Sequence, residues 1–211
     1  YSPDGQLVKK MIQKEKVEGN TQNHELSVKI EIQNPVLWSI DSPNLYSVKT
    51  TIKDSNSKRI LDQSVNTVGL RWFSFDADKG FFLNGKHVKL IGTNRHQCFL
   101  NKGNALEDQY HIRDIRLLKD MGGNFLRVSH YPQDPLVLEM CDKLGVVASV
   151  EIPIVNTITE NQEFLDNSLT MAEEMIKQNF NHPSLVMWSY MNEVMLRPPY
   201  KADDKKYKPY C

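Results

Sequence analysis

The chain has 211 residues, enough for one large domain or two smaller ones, and its 26 Lys and Arg are matched by 26 Asp and Glu. That balance lacks the basic excess of a nucleic-acid surface, and no apolar run reaches the length of a membrane span. Three widely spaced cysteines (Cys98, Cys141, Cys211) make no disulfide framework, and there is no CxxC pair, HExxH motif or glycine-rich phosphate loop. A soluble protein is expected, cytoplasmic or periplasmic/secreted. No cofactor, nucleic-acid partner or membrane association is expected.

Residues 1–77 read as β-structure. Leu7 to Val17, Leu26 to Ile32, Tyr46 to Ile52 and Ile60 to Phe75 carry β-branched and aromatic residues with stretches of period two. Between them stand Glu18-Gly19-Asn20, Asp41-Ser42-Pro43-Asn44 and Asp54-Ser55-Asn56-Ser57, which are turn material. These strands fall short of the about seven in an immunoglobulin-like sandwich, so a partial sandwich is expected.

From residue 78 the pattern alternates strand and helix. Val88 to Gly92 reads as a strand ending in Thr93-Asn94-Arg95-His96. Asp108 then caps a helix with Ile112, Ile115, Leu118 and Met121 inward and Leu117 flanking. Asn124 to Val128 is the next strand, ending in Ser129-His130-Tyr131-Pro132. Pro135 starts a helix carrying Leu136, Leu138, Met140 and Leu144, closed by Gly145. Val146 to Val150 ends in Glu151. The spacing predicts a helix over 166–180 with Leu169, Ala172, Ile176 and Phe180 on its inner face. Pro183 stops the chain short of a last strand, Leu185 to Trp188, which delivers Asn192 and Glu193. Near-continuous apolar strands imply a parallel sheet covered on both faces. An open doubly wound sheet is one solution. Polar residues at every strand end favour the other, the first half of a (β/α)8 barrel over 78–211, whose chemistry sits at that end. The chain then reads as an excerpt cut at both ends, completed by the remainder of a parent chain.

The strand ends supply the candidate site. Glu193 and Glu151 are its carboxyl groups, Asn192 its amide, His130 and His96 its imidazoles and Arg127 its cation, with Asn94 beside them. Glu151 either touches substrate or orients its neighbours, and Arg127 is suited to hold a carboxylate. Trp188 is expected in the core as a supporting residue. His24, His87, His111 and His182 suggest only surface or local roles. Asp203-Asp204-Lys205-Lys206 reads as a solvated loop, and Tyr200, Tyr207 and Tyr210 near it could border a cleft.

Several stretches, in order, resemble the glycoside hydrolase family 2 enzymes, the β-galactosidase and β-glucuronidase family. They are Asn34-Pro35-Val36-Leu37-Trp38-Ser39, Ser42-Pro43-Asn44-Leu45-Tyr46, Val68-Gly69-Leu70-Arg71, Phe82-Leu83-Asn84-Gly85-Lys86 and Gly92-Thr93-Asn94-Arg95-His96. Further on come Arg127-Val128-Ser129-His130-Tyr131-Pro132, Cys141-Asp142-Lys143-Leu144-Gly145, Glu151-Ile152-Pro153 and Asn181-His182-Pro183 through Asn192-Glu193. The resemblance implies a retaining hydrolase of terminal β-linked sugars, most like a β-galactosidase. Glu193 would be its general acid/base, with a pKa raised by burial and a neighbouring carboxylate. Asn192 would bond the hydroxyl next to the reacting carbon, and His130 and His96 would contact the sugar. The nucleophile would lie beyond Cys211, leaving this segment inactive alone. Gln97 stands where many members carry glutamate. Residues 152–158 lack the carboxylate and histidine with which large galactosidases hold magnesium, so no metal is expected. A β-glucuronidase and a non-catalytic carbohydrate-binding protein are the alternatives. A purely structural sandwich module has little support.

Overall fold

The computed structural model describes residues 1–19 and 23–195. Asn20, Tyr200, Tyr207, Tyr210 and the Asp203–Lys206 run lie outside them, as does Cys211.

The N-terminal part contains one hairpin, β1 (Tyr46–Lys53) with β2 (Ile60–Val68), in register from Tyr46↔Val68 to Lys53↔Ile60. Asp54 builds its turn, because Oδ1 accepts from the backbone of Asn56 at 3.1 Å and of Ser57 at 2.6 Å. The strands expected at 7–17 and 26–32 do not form, and Leu7, Met11, Ile12, Leu26, Val28 and Ile30 are exposed. A period of two fixes which face a strand would bury. It supplies no neighbour for the backbone groups, and none lies alongside here. The sandwich is represented by β1 and β2.

The run Ile60–Phe75 breaks after β2. Gly69 packs on Pro183, where a β-carbon would come within 2.5 Å, and Arg71 turns away to Pro183 and Leu185. A three-stranded antiparallel sheet follows: β3 (Phe73–Asp76), β4 (Gly80–Leu83) and β5 (Lys86–Val88). Asn84 and Gly85, both at positive φ, make the two-residue β4–β5 turn. The strand expected at 88–92 is therefore split between β5 and the next element.

Four parallel strands complete the fold: β6 (Gly92–Arg95), β7 (Phe125–Val128), β8 (Val147–Glu151) and β9 (Leu185–Ser189), paired in that order. Between them run α1 (Asp108–Asp120), α2 (Pro135–Leu144) and α3 (Gln162–Asn179). A doubly wound sheet reverses its strand order at a switch point. This order does not reverse, so the crossovers wind one way and the sheet is a partial (β/α)8 barrel. Its helices share one face, and residues from the preceding segments cover part of the other. Outward-facing Leu126, Val128, Ala148, Val150 and Leu185 pack with Ile115, Leu118, Val137, Cys141 and Met175. Phe125, Val147 and Val186 face the other way, onto Trp38, Phe81 and Leu83.

In α1 the cap is Glu107, Ile112, Ile115 and Leu118 meet the core as expected with His111 beside them, and Met121 is 74% exposed at the C-cap. In α3 the inward residues are Ser168, Met175 and Asn179, while Leu169, Ile176 and Phe180 are exposed. This face is offset by one residue from the expected one, because α3 flanks an edge strand and carries apolar residues on two sides. α2 forms as expected, with Asp134 capping Leu136 at 2.9 Å and Gly145 left-handed at φ 67°. No described helix is long and apolar enough to cross a membrane.

Candidate active site

Strand alternation builds the site. Phe125 and Arg127 share one face of β7, and Val147, Ser149 and Glu151 share one face of β8. The apolar members lie at the N-terminal end of these strands and the charged ones at the C-terminal end. Asn94 stands beside Arg127 in register. The chain after β9 stays paired to the chain after β8 through a parallel bridge, Val155↔Asn192. In it, Asn192 donates to the Ile154 carbonyl at 2.8 Å and accepts from the Asn156 amide at 3.0 Å.

These elements bring Asn94, Arg127, His130, Asn192 and Glu193 to the wall of one open cleft, with Glu151 behind them. Glu151 is 1% exposed. Its Oε2 accepts from Arg127 Nη2 at 3.0 Å, and its Oε1 lies 2.5 Å from His130 Nδ1. Such burial of a carboxylate requires paired, hydrogen-bonded partners, which Arg127 and His130 supply. Arg127 Nη2 also donates to Asn192 Oδ1 at 2.9 Å. Its two hydrogens are then used, so its 3.4 Å approach to His130 Nδ1 is a contact only. Facing a carboxylate, His130 Nδ1 carries the proton, which leaves Nε2 to offer to a ligand. Asn192 is fixed the same way. With Oδ1 turned to Arg127, its buried Nδ2 has no partner among the described residues.

His96 is exposed, and its ring meets that of His130 edge-to-face with centroids 5.0 Å apart. Glu193 is exposed and held at φ 58°, a left-handed conformation that costs a side-chain-bearing residue strain. The burial expected around Glu193 is not supplied by the described residues, since it follows an edge strand. Trp188 is 36% exposed on that strand instead of in the core, and it does not line the cleft. Among the described residues, no group of three or more His, Cys, Asp or Glu side chains could hold a metal ion.

Three residues around the site, Tyr131, Arg95 and His111, carry polar bonds that sequence reasoning overlooked. Tyr131 Oη accepts from the Gln97 amide at 3.0 Å. Arg95 is buried and donates through Nε to Asp114 at 2.9 Å and through Nη1 to Gln133 at 2.6 Å, while Nη2 lies 3.2 Å from His111 Nδ1. His111, given only a surface or local role from sequence, is fully buried. Its position four before Ile115 and seven before Leu118 was the available signal, because that is the helix's inward stripe. His182 also has a structural partner, with Nδ1 2.6 Å from buried Asp142.

Residues 77–209 match the family model described as glycosyl hydrolases family 2, TIM barrel domain, and residues 1–71 match glycosyl hydrolases family 2. The chain belongs to glycosyl hydrolases family 2. A β-glucuronidase of Bacteroides fragilis is 37% identical over 171 residues, 77% of this chain and 24% of that protein. A β-galactosidase of Thermoanaerobacter pseudethanolicus is 36% identical over 165 residues, 78% of this chain and 22% of that protein. Among solved structures, Bacteroides uniformis β-glucuronidase 2 covalently bound to cyclophellitol-6-carboxylate aziridine is 45% identical. It has a TM-score of 0.86 and covers 92% of this chain, which covers 23% of it. The chain thus spans about a quarter or less of the relatives it matches.

Proposed function

We propose that residues 1–77 belong to the sandwich, and 78–211 to the first half of the barrel, of a longer retaining β-glycosidase. Glu193 protonates the leaving oxygen and later activates water. Asn192 donates to the hydroxyl beside the reacting carbon, and His130 and His96 line the sugar site. The nucleophile and the rest of the barrel come from chain outside these residues. The observation that carries this reading is Asn192 Nδ2, a buried donor without a partner, adjacent to an exposed carboxyl at a barrel strand end. A non-catalytic sugar binder has no need of that carboxyl.

A β-glucuronide is the favoured substrate. The Bacteroides fragilis relative and the Bacteroides uniformis structure described above are named β-glucuronidases, and the latter is covalently bound to a carboxylate-bearing compound. A β-galactoside is the second reading, supported by the Thermoanaerobacter relative. The one guanidinium among the described cleft-lining residues, Arg127, is already engaged by Glu151 and Asn192. A sugar carboxylate would therefore draw its cation from elsewhere in the complete protein.

One experiment tests both levels. The complete protein and its Glu193→Gln variant are assayed on alkyl and activated aryl β-glucuronides and β-galactosides. Glu193→Gln lowers the glycosylation rate on alkyl glycosides by about 10²–10⁴-fold and on activated aryl glycosides far less. Equal losses on both would remove Glu193 from the acid role. Wild-type kcat/KM favours glucuronides by about a hundredfold or more, and the reverse order would install the galactoside reading.

A further inference from the structure

Behind the cleft wall, on the outward face of the sheet, lies a polar cluster that touches no cleft-lining surface. Arg95 immediately precedes His96, and its guanidinium is shared among Asp114, Gln133 and His111. Gln133 binds Arg95 at both ends. Its Oε1 accepts from Nη1, and its Nε2 donates to the Arg95 carbonyl at 2.5 Å. The same Nε2 donates to the Ser129 carbonyl at 3.1 Å. The Ser129 amide and hydroxyl also donate to the Arg95 carbonyl, at 3.2 Å and 3.3 Å. The backbones that carry His96 and His130 are therefore tied together just before each imidazole.

Besides satisfying the buried Arg95 guanidinium, this arrangement fixes the relative placement of the two rings. β6 is an edge strand, with one described neighbour, and the His96 ring meets the rings of His130 and, with centroids 6.4 Å apart, Tyr131. His130 is oriented by Glu151, whereas His96 takes its place from its backbone and from ring contacts with His130 and Tyr131. We infer that Gln133 and Arg95 are positioning residues for the His96–His130 pair, with His111 and Asp114 locking the guanidinium. Facing an arginine donor, His111 Nδ1 is an acceptor and its proton sits on Nε2. The imidazole thus serves the cluster as a neutral prop.

The inference rests on the sugar-site reading above, and a double-mutant cycle separates the two. In the complete protein, kcat/KM on an aryl β-glycoside is measured for His130→Ala, Gln133→Ala and the double variant. His130→Ala without effect would sink the sugar-site reading itself. Given a His130→Ala loss, Gln133→Ala lowers kcat/KM by about 10²-fold in the wild-type background, the size of effect a small misplacement gives. In the His130→Ala background the same change costs less than about twofold, because the pair whose relative placement it sets is already broken. Losses that multiply independently, or no loss from Gln133→Ala, overturn the inference. Should Gln133→Ala fold poorly, Gln133→Glu carries the same cycle. Its acid oxygen still meets the guanidinium, but the donor to the Arg95 and Ser129 carbonyls is gone.

Discussion

Asn192 is held on three sides, by Ile154 and Asn156 through its backbone and by Arg127 through Oδ1. Only Nδ2 is left to meet a ligand. Asn192→Asp keeps the shape and the bond from Arg127 but puts an acceptor where the donor stood. In the complete protein this lowers kcat/KM by about 10–100-fold on a substrate bearing the hydroxyl next to the reacting carbon, since a lost buried bond to that group costs about 1.5–3 kcal/mol. On the 2-deoxy analogue the variant and wild type converge. A loss of equal size on both substrates would show that Asn192 acts by holding Arg127 and not by touching the sugar.

At the scale of the element, β6 and β7 approach at Gly92 more closely than any other residue allows. A β-carbon there would lie 1.7 Å from the Phe125 carbonyl oxygen. The glycine permits the first parallel pairing of the barrel and so places Asn94 beside Arg127. Gly92→Ala forces the strands apart and destabilises the complete protein by about 3 kcal/mol, read as a lower thermal midpoint. Gly19, whose added β-carbon would meet nothing within 4 Å, serves as the control. An unchanged midpoint for Gly92→Ala would mean that β6 is not seated against β7 as described.

Across the whole molecule, the segments on either side of the β1–β2 hairpin seal the base of the barrel. Trp38 is 0% exposed, donates from Nε1 to the Asp142 carbonyl at 2.8 Å and accepts from Asn84 at 2.9 Å. Arg71 donates to the Pro183 carbonyl at 2.9 Å and the Leu185 carbonyl at 2.7 Å. Burial lowers the pKa of Arg71 and the charge on Asp142 opposes that shift. Arg71→Met strands two carbonyls beneath β9 and costs about 2–4 kcal/mol. Because this is the end of the barrel remote from Glu193, kcat of the folded protein stays the same while the denaturant midpoint falls. A loss of kcat without a loss of stability would instead couple the base to the site.

The sequence by itself determined the order of barrel elements, the ends of α2 and the residues that stand at the strand ends. Each of these follows from local chemistry: Pro135 at a helix start, Gly145 at its close, and period-two or 3.6 apolar spacing. It also singled out Arg127, Glu151, Asn192 and Glu193 through the motifs that carry them. Tertiary structure decided what lies beside what. Whether 7–17 and 26–32 become strands depends on a neighbour to receive their backbone bonds, and periodicity cannot supply one. Which side of α3 is covered depends on the strand it flanks. That Arg127 binds both Glu151 and Asn192, and that Arg95, His111 and Gln133 meet behind the histidine pair, follows from parallel register across strands far apart in the chain. Local spacing carries no information about that register.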